Sequence, residues 1–403
     1  MTSLKVNKPK LAWRAIAPSI ILVANSFVWY IFTFMIFSEI IDGPLVPETE
    51  KMFLYAAYFV SVAVSAIIGS KFIPRMRFPA LSLWPFIGAI ATLSLTAISS
   101  GNTLFNILLA FFLGASIGIG LPSCLAYFAD STAFENRGLI GGIIWSIVGF
   151  TVLIFAFLST IAGQWEFIAT LTIWRCSGCL GFIALSREHQ IVTPQKSLSY
   201  LEIIRKREIL LYLFPWLMFC VINFAETAIL NEVFGNFDLL SISEFAIIGV
   251  VATIAGFFAD RVGRKRIVIA GFIMLGIEYA ALTFFDNYAA MYLYLVLDGV
   301  TWGFLFSVFF MAIWGDLGEN YNKDKYYALG GLPFLLAGFL PILIEPHVDK
   351  SYATAAFSLA SFFLFLAVLP LMYAPETLPE KKIKERELKG YLEKAKKEAE
   401  KYY

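Results

Sequence analysis

Charge is scarce in this chain, and so are the side chains that carry most enzyme chemistry. Only 15% of the 403 residues are charged, against about a quarter in soluble domains, which excludes an ordinary water-soluble fold. There are two histidines, His189 and His347, and both fall in polar loops. They leave no His-rich metal set and no Ser/His/Asp constellation, so no metal, no cofactor and no enzyme activity are expected. The four cysteines, Cys124, Cys176, Cys179 and Cys220, all lie inside apolar runs. Cys176 and Cys179 form a C-x-x-C, but a redox or zinc pair needs polar access and further ligands, so packing is the expected role. No disulfide framework is implied. A net charge of +1 supplies no field for nucleic acid. What the chain does have is apolar surface: 59% hydrophobic residues, 40 phenylalanines and a mean hydropathy of +0.75. Such a composition belongs in lipid, and a multi-pass protein of the cell membrane is expected.

A membrane span takes about twenty mostly apolar residues. Twelve candidates occur, at 15–37, 52–72, 79–99, 104–128, 139–161, 165–185, 209–232, 243–259, 266–285, 288–314, 326–345 and 352–373. Lipid offers no hydrogen bonds to an open strand edge, so the spans are expected to be helices. The first run is too long for a typical signal-peptide core and reads as a retained span. The longest interior polar segment follows span 6 and divides the chain into two halves. The expected organisation is a six-helix bundle over 1–186, a central loop over 187–208, a second six-helix bundle over 209–374 and a charged helical tail over 375–403.

Lys and Arg set the orientation. With loops assigned alternately to the two sides, only Lys51 and Lys350 fall on one side, and Arg175 lies inside a span, which leaves 28 of 31 on the other. By the positive-inside rule that side is cytoplasmic, and both termini belong to it. The tail carries Glu380/Lys384, Glu385/Lys389 and Glu393/Lys397 at i,i+4 spacing and is expected to be a solvated helix.

One turn between spans 8 and 9 is dense in charge: Gly256-Phe257-Phe258-Ala259-Asp260-Arg261-Val262-Gly263-Arg264-Lys265. It resembles the G-x-x-x-D-R-x-G-R-[KR] signature of the major facilitator superfamily at all six specified positions, Gly256, Asp260, Arg261, Gly263, Arg264 and Lys265. The resemblance implies an all-α integral membrane fold of twelve helices in two pseudo-symmetric six-helix bundles that rock against each other. Gly256 would permit close helix approach, Gly263 a positive φ, and Asp260 a contact to a neighbouring helix N-terminus or a basic partner that shuts the cytoplasmic gate. The basic residues alternatively serve as topology anchors alone. The counterpart between spans 2 and 3, Gly69 to Arg77, has Ile73, Pro74 and Met76 where Asp, Arg and Gly are expected, which predicts a gate leaning on the second half. Asp130, Arg137 and Gly138 are similar to the acid-x6-R-G motif of sugar-porter-type members, with a weaker echo in Asp316 and Lys323. Pro375-Glu376-Thr377 is similar to the P-E-T segment of sugar and organic-ion porters.

Several features of that superfamily are missing. No proline lies between Gly138 and Leu158, where drug/proton antiporters carry a Gly-Pro-rich signature, and span 1 lacks the aspartate of many proton-coupled sugar porters. The subfamily is therefore left unassigned.

Ionisable side chains in mid-span are costly and point to function. Arg175 in span 6, Glu226 in span 7, Glu278 in span 9 and Asp298 in span 10 are such cases. In the superfamily spans 1, 4, 7 and 10 line the central cavity, which makes Glu226 the first candidate proton carrier or substrate ligand and Asp298 the second. A structural hydrogen bond is the alternative for each. Asn25, Trp29 and Tyr30 in span 1, Asn223 in span 7 and Trp302 in span 10 are candidate polar handles and walls. Arg175 and Glu278 are expected to bond within their own halves; Arg175 facing the cavity would instead favour an anion. The expected function is secondary active transport of a small organic solute by alternating access, with proton-coupled uptake, by a monomer in the lipid bilayer. The alternatives are a drug or metabolite exporter and a non-transporting receptor on the same fold.

Overall fold

The computed structural model of the chain describes residues 13–186, 196–235, 237–285 and 287–378. The expected tail helix beyond Leu378, the first part of the basic N-terminus and most of the central loop before Lys196 lie outside the described residues.

Eleven segments are long and apolar enough to cross a membrane, and one of them, Glu48–Ala97, holds two helices joined by the 3-10 turn Ile73–Met76. The Arg77–Asp130 and Trp84–Ser116 bonds run span 3 against span 4, while Tyr58 and Val62 meet Gly114 and Gly118 with span 2 parallel to span 4. Spans 2 and 3 are therefore antiparallel, and twelve helices cross. They are Trp13–Asp42, Glu48–Phe72, Arg77–Ser94, Thr103–Gly118 continued by Leu121–Ser131, Arg137–Ile161, Gln164–Leu185, Arg207–Phe234, Phe237–Val262, Arg264–Phe284, Tyr288–Phe304 continued to Leu317, Lys323–Ala337 continued by Phe339–Ile344, and Ala353–Tyr373. We number them spans 1 to 12. Helices satisfy every backbone group within the segment, which lipid demands.

The two halves repeat one packing scheme. Span 2 lies on span 4 as span 8 lies on span 10; span 3 on span 6 as span 9 on span 12; span 1 on span 6 as span 7 on span 12. The halves meet mainly where span 5 runs along span 8 and span 11 along spans 2 and 4. Glycine makes the first of these seams possible. A Cβ on Gly142 would stand 2.2 Å from the Ala252 carbonyl oxygen, and one on Gly256 2.1 Å from that of Gly138. Two of the spans are interrupted. Span 4 breaks at Gly120, ahead of Pro122, and span 10 passes through a π-helix at Leu305–Ile313. Long π turns are rare and concentrate at functional positions.

Candidate functional site

Two regions between the halves carry the chemistry. The loops joining spans 2–3, 4–5, 8–9 and 10–11 meet at one end of the bundle, here called the basic end, and an ion-pair network closes it. Arg77, at the start of span 3, bonds Asp130 Oδ2 (2.5 Å) and reaches across the halves to Asp324 on span 11. Lys323 returns the link, 2.8 Å from Asp130 and 3.2 Å from Glu319. Arg137, at the start of span 5, donates to Asp316 of span 10, to Glu319 (3.0 Å) and to the Ala129 carbonyl (2.7 Å). Arg264 pairs with the same Asp316 and with Asp260 (3.4 Å), and donates to the Phe134 carbonyl (2.5 Å). One carboxylate thus serves two buried guanidiniums, one from each half, and Thr377 donates to it as well (3.0 Å).

Asp260 sits where span 5 begins, accepting from the backbone N–H of Gly138 (3.0 Å) and Leu139 (2.7 Å). The first-turn donors of a helix are otherwise unpaired and favour a negative charge. Span 9 begins in the same way. Its first N–H groups, on Arg264 and Lys265, donate to Glu376 at 2.9 and 3.1 Å. Gly263 is held at φ +107°, and a Cβ there would stand 2.6 Å from Glu376 Oε2, so glycine is required on two counts. Lys265 Nζ ties back to the Met372 and Ala374 carbonyls (3.1 and 3.0 Å), while Arg261 stacks on Phe257 with its guanidinium carbon 3.6 Å from the ring centre. The Pro-Glu-Thr segment therefore acts as a strap across the second half, with Tyr212 donating to the Pro375 carbonyl (2.6 Å).

The second region is a cavity of about 280 Å³ in the half of the bundle away from the basic end. Span 1 supplies Tyr30, Ile31 and Phe34; the rest comes from spans 7, 8, 10 and 11. Span 4, expected among the lining helices, contributes nothing, because the cavity lies against the second half. Of the expected site residues, Tyr30, Asn223, Asp298 and Trp302 line it. Trp302, Phe224, Phe306 and Phe334 form one aromatic wall, with ring centres 4.5 to 6.2 Å apart. Trp302 Nε1 donates to Asp298 Oδ2 (3.2 Å). Below the wall Phe306 stacks on Trp145 and packs against Phe310, closing the floor toward the basic end.

Other expected residues lie elsewhere. Glu226 is buried beside Tyr279 but is not among the lining residues, although Asn223 and Thr227 on its own helix are. Asn25 is turned away into the first half, donating to the Trp174 carbonyl (2.6 Å) and accepting from Arg175 (2.9 Å). Arg175 is fully buried there, bonded also to Ser26 (2.8 Å) and sandwiched 4.3 Å from the Trp29 and Trp84 rings. Its contacts belong to spans 1 and 3. Glu278 is fully buried next to Asp298 within the second half.

Sequence reasoning missed Glu244. It reads there as the start of span 8, yet the helix starts at Phe237, about two turns earlier. Glu244 consequently lies inside the span, lines the cavity and, like Glu278, neighbours Asp298. Missed too were the Arg77–Asp324 pair and the central place of Asp316.

No family model matches the chain, and no curated protein matches it in sequence. Among solved structures, the chain is similar to the crystal structure of the human organic anion transporter MFSD10 (TETRAN), with a TM-score of 0.65 at 14% identity over 90% of this chain and 100% of that one. The likeness is one of fold: the chain has the twelve-helix major facilitator fold of a multi-pass membrane protein.

Proposed function

We propose that the protein is a secondary active transporter, working as a monomer in the cell membrane and moving a small organic solute by alternating access. The observation that carries this reading is one asymmetry. Between the same two halves, one end is sealed by buried ion pairs while the other holds a cavity lined from both halves. The Lys/Arg bias makes the sealed end cytoplasmic, so the cavity belongs to an outward-facing or occluded state. Rocking of the halves would break the Arg77–Asp324, Arg137–Asp316 and Lys323–Asp130 pairs and open the cavity to the other side.

Proton coupling completes the proposal, with uptake as the direction. Glu226 is the proposed carrier: it is a buried carboxyl next to cavity-lining Thr227 and about one turn from cavity-lining Asn223, with Oε2 unpartnered among the described residues. A carboxyl in a low-dielectric site exchanges a proton more readily than it bears a lasting charge. The test starts from a solute screen by thermal stabilisation, since a ligand that binds only the folded state raises the melting point. Stabilising solutes are then taken into proteoliposomes under an imposed pH gradient. Accumulation by the native protein, lost in Glu226→Gln with solute exchange retained, is the expected result. Undiminished pH-driven uptake in Glu226→Gln would remove its proton role, and stabilising solutes that never exchange across the bilayer would remove transport.

A further inference from the structure

We propose that the cavity takes an organic cation: an ammonium group carried on a small apolar or aromatic body. The term substrate for this ligand rests on the transport reading above; the binding site does not. Two charged side chains line the cavity, Glu244 and Asp298, and both are carboxyls. They are 6% and 3% exposed, and Asp298 lies within hydrogen-bonding reach of Glu244, Glu278, Tyr294 and Trp302, none of which brings a positive charge. No Lys, Arg or His is among the lining residues. Behind Asp298 stands a third carboxyl, Glu278, with no exposed surface. The remaining titratable groups packed around the three are Tyr294, Tyr279 and, beyond Tyr279, Glu226.

Three carboxyls from spans 8, 9 and 10 this close together repel one another in a low-dielectric site, and a buried charge needs a counter-charge. The protein supplies none, so a cationic ligand or shared protons must. An anionic solute would add to that repulsion where a cation relieves it. The aromatic lining fits the same ligand: Trp302, Phe224, Phe306, Phe334 and Tyr30 line the same cavity as the two carboxyls, and aromatic faces attract organic cations. A metal ion fits poorly. No group of three His, Cys, Asp or Glu among the described residues has metal-holding geometry, and hard cations require six or more oxygens. The volume of about 280 Å³ lies just below the usual range of about 300–1,000 Å³ for ligand pockets and selects a small cation.

The test is equilibrium binding of benzyltrimethylammonium and of phenylacetate to the purified full-length protein. Saturable binding of the cation, at least roughly tenfold tighter than of the anion, is expected. Glu244→Gln and Asp298→Asn should each weaken the cation by roughly tenfold, the loss of one Coulombic contact between carboxylate and ammonium. Phenylacetate binding as tightly, no saturable cation binding at millimolar concentration, or a cation affinity untouched by both variants would each overturn the proposal. Should neither variant fold, the comparison of cation and anion on the native protein decides alone. Proteoliposome exchange separates this claim from the transport reading. Cation binding without exchange leaves the site and removes transport; exchange of phenylacetate alone does the reverse.

Discussion

Replacing Asp316 with Asn probes the closed gate at its most connected point. The carboxylate accepts from Arg137 of the first half and forms an ion pair with Arg264 of the second, and those side chains are 1% and 0% exposed. Removing one partner of a buried ion pair costs about 3–5 kcal/mol when nothing replaces it. Here each arginine keeps another anion, Glu319 at 3.0 Å and Asp260 at 3.4 Å, so the loss is smaller. The Arg264 pair lies within one half and survives opening, which leaves the Arg137 arm as the part that distinguishes closed from open. One charge-assisted hydrogen bond contributes about 2 kcal/mol, and its loss moves the closed-to-open ratio by roughly thirtyfold. The assay is labelling of a single cysteine at Gly331, on a background lacking the four native cysteines. Gly331 lies about 12 Å into span 11 from the basic end, and nothing stands within 4 Å of a Cβ built there. A membrane-impermeant maleimide applied from the basic end should label Asp316→Asn at least tenfold faster than the parent, following the shift in ratio. Rates equal within about twofold, under the same logic, would refute the gate.

Three further outcomes follow from contacts already described. Asp260→Asn gives up a carboxylate that holds two span 5 donors; it should slow transport and raise labelling at position 331, and unchanged rate and labelling would count against its gating role. Gly142→Val places a side chain 2.2 Å from the Ala252 carbonyl oxygen and should lower the melting temperature by the equivalent of about 1–3 kcal/mol; an unchanged melting curve would mean the seam is looser than described. Arg175→Lys loses a planar cation stacked between two indoles, each contact contributing about 0.5–2 kcal/mol, and a point-like ammonium cannot replace it. Its stability should fall while solute selectivity stays the same; altered selectivity would place Arg175 in the solute path.

The sequence made the spans legible because burial in lipid leaves a hydropathy signal at every position of a helix. The charged turn at Gly256–Lys265 was legible because six side chains at fixed spacing serve one local geometry. Partner choice was not. Arg77 looks like the remnant of a degenerate first-half motif, which suggested a gate leaning on the second half; its link to Asp324 and that of Lys323 to Asp130 draw on both halves equally. Nothing near either residue encodes a contact 247 or 193 positions away. The same limit explains Asn25, whose polarity in span 1 suggested the cavity while its real partner, Arg175, sits five spans on. Glu226 failed to reach the cavity wall by helix phase, about 100° from Thr227, and Glu244 was hidden by a misplaced helix start.

The central claim is that the two halves exchange a seal at one end for an opening at the other. Spin-label pairs report this directly: Met76 with Asn320 across the basic end, and Asn102 with Lys350 across the opposite end, all exposed positions. With benzyltrimethylammonium present and the pH gradient varied, the account predicts reciprocal changes, the basic-end distance lengthening in the population where the opposite-end distance shortens. Two distance distributions that stay fixed, or that lengthen together, would contradict it.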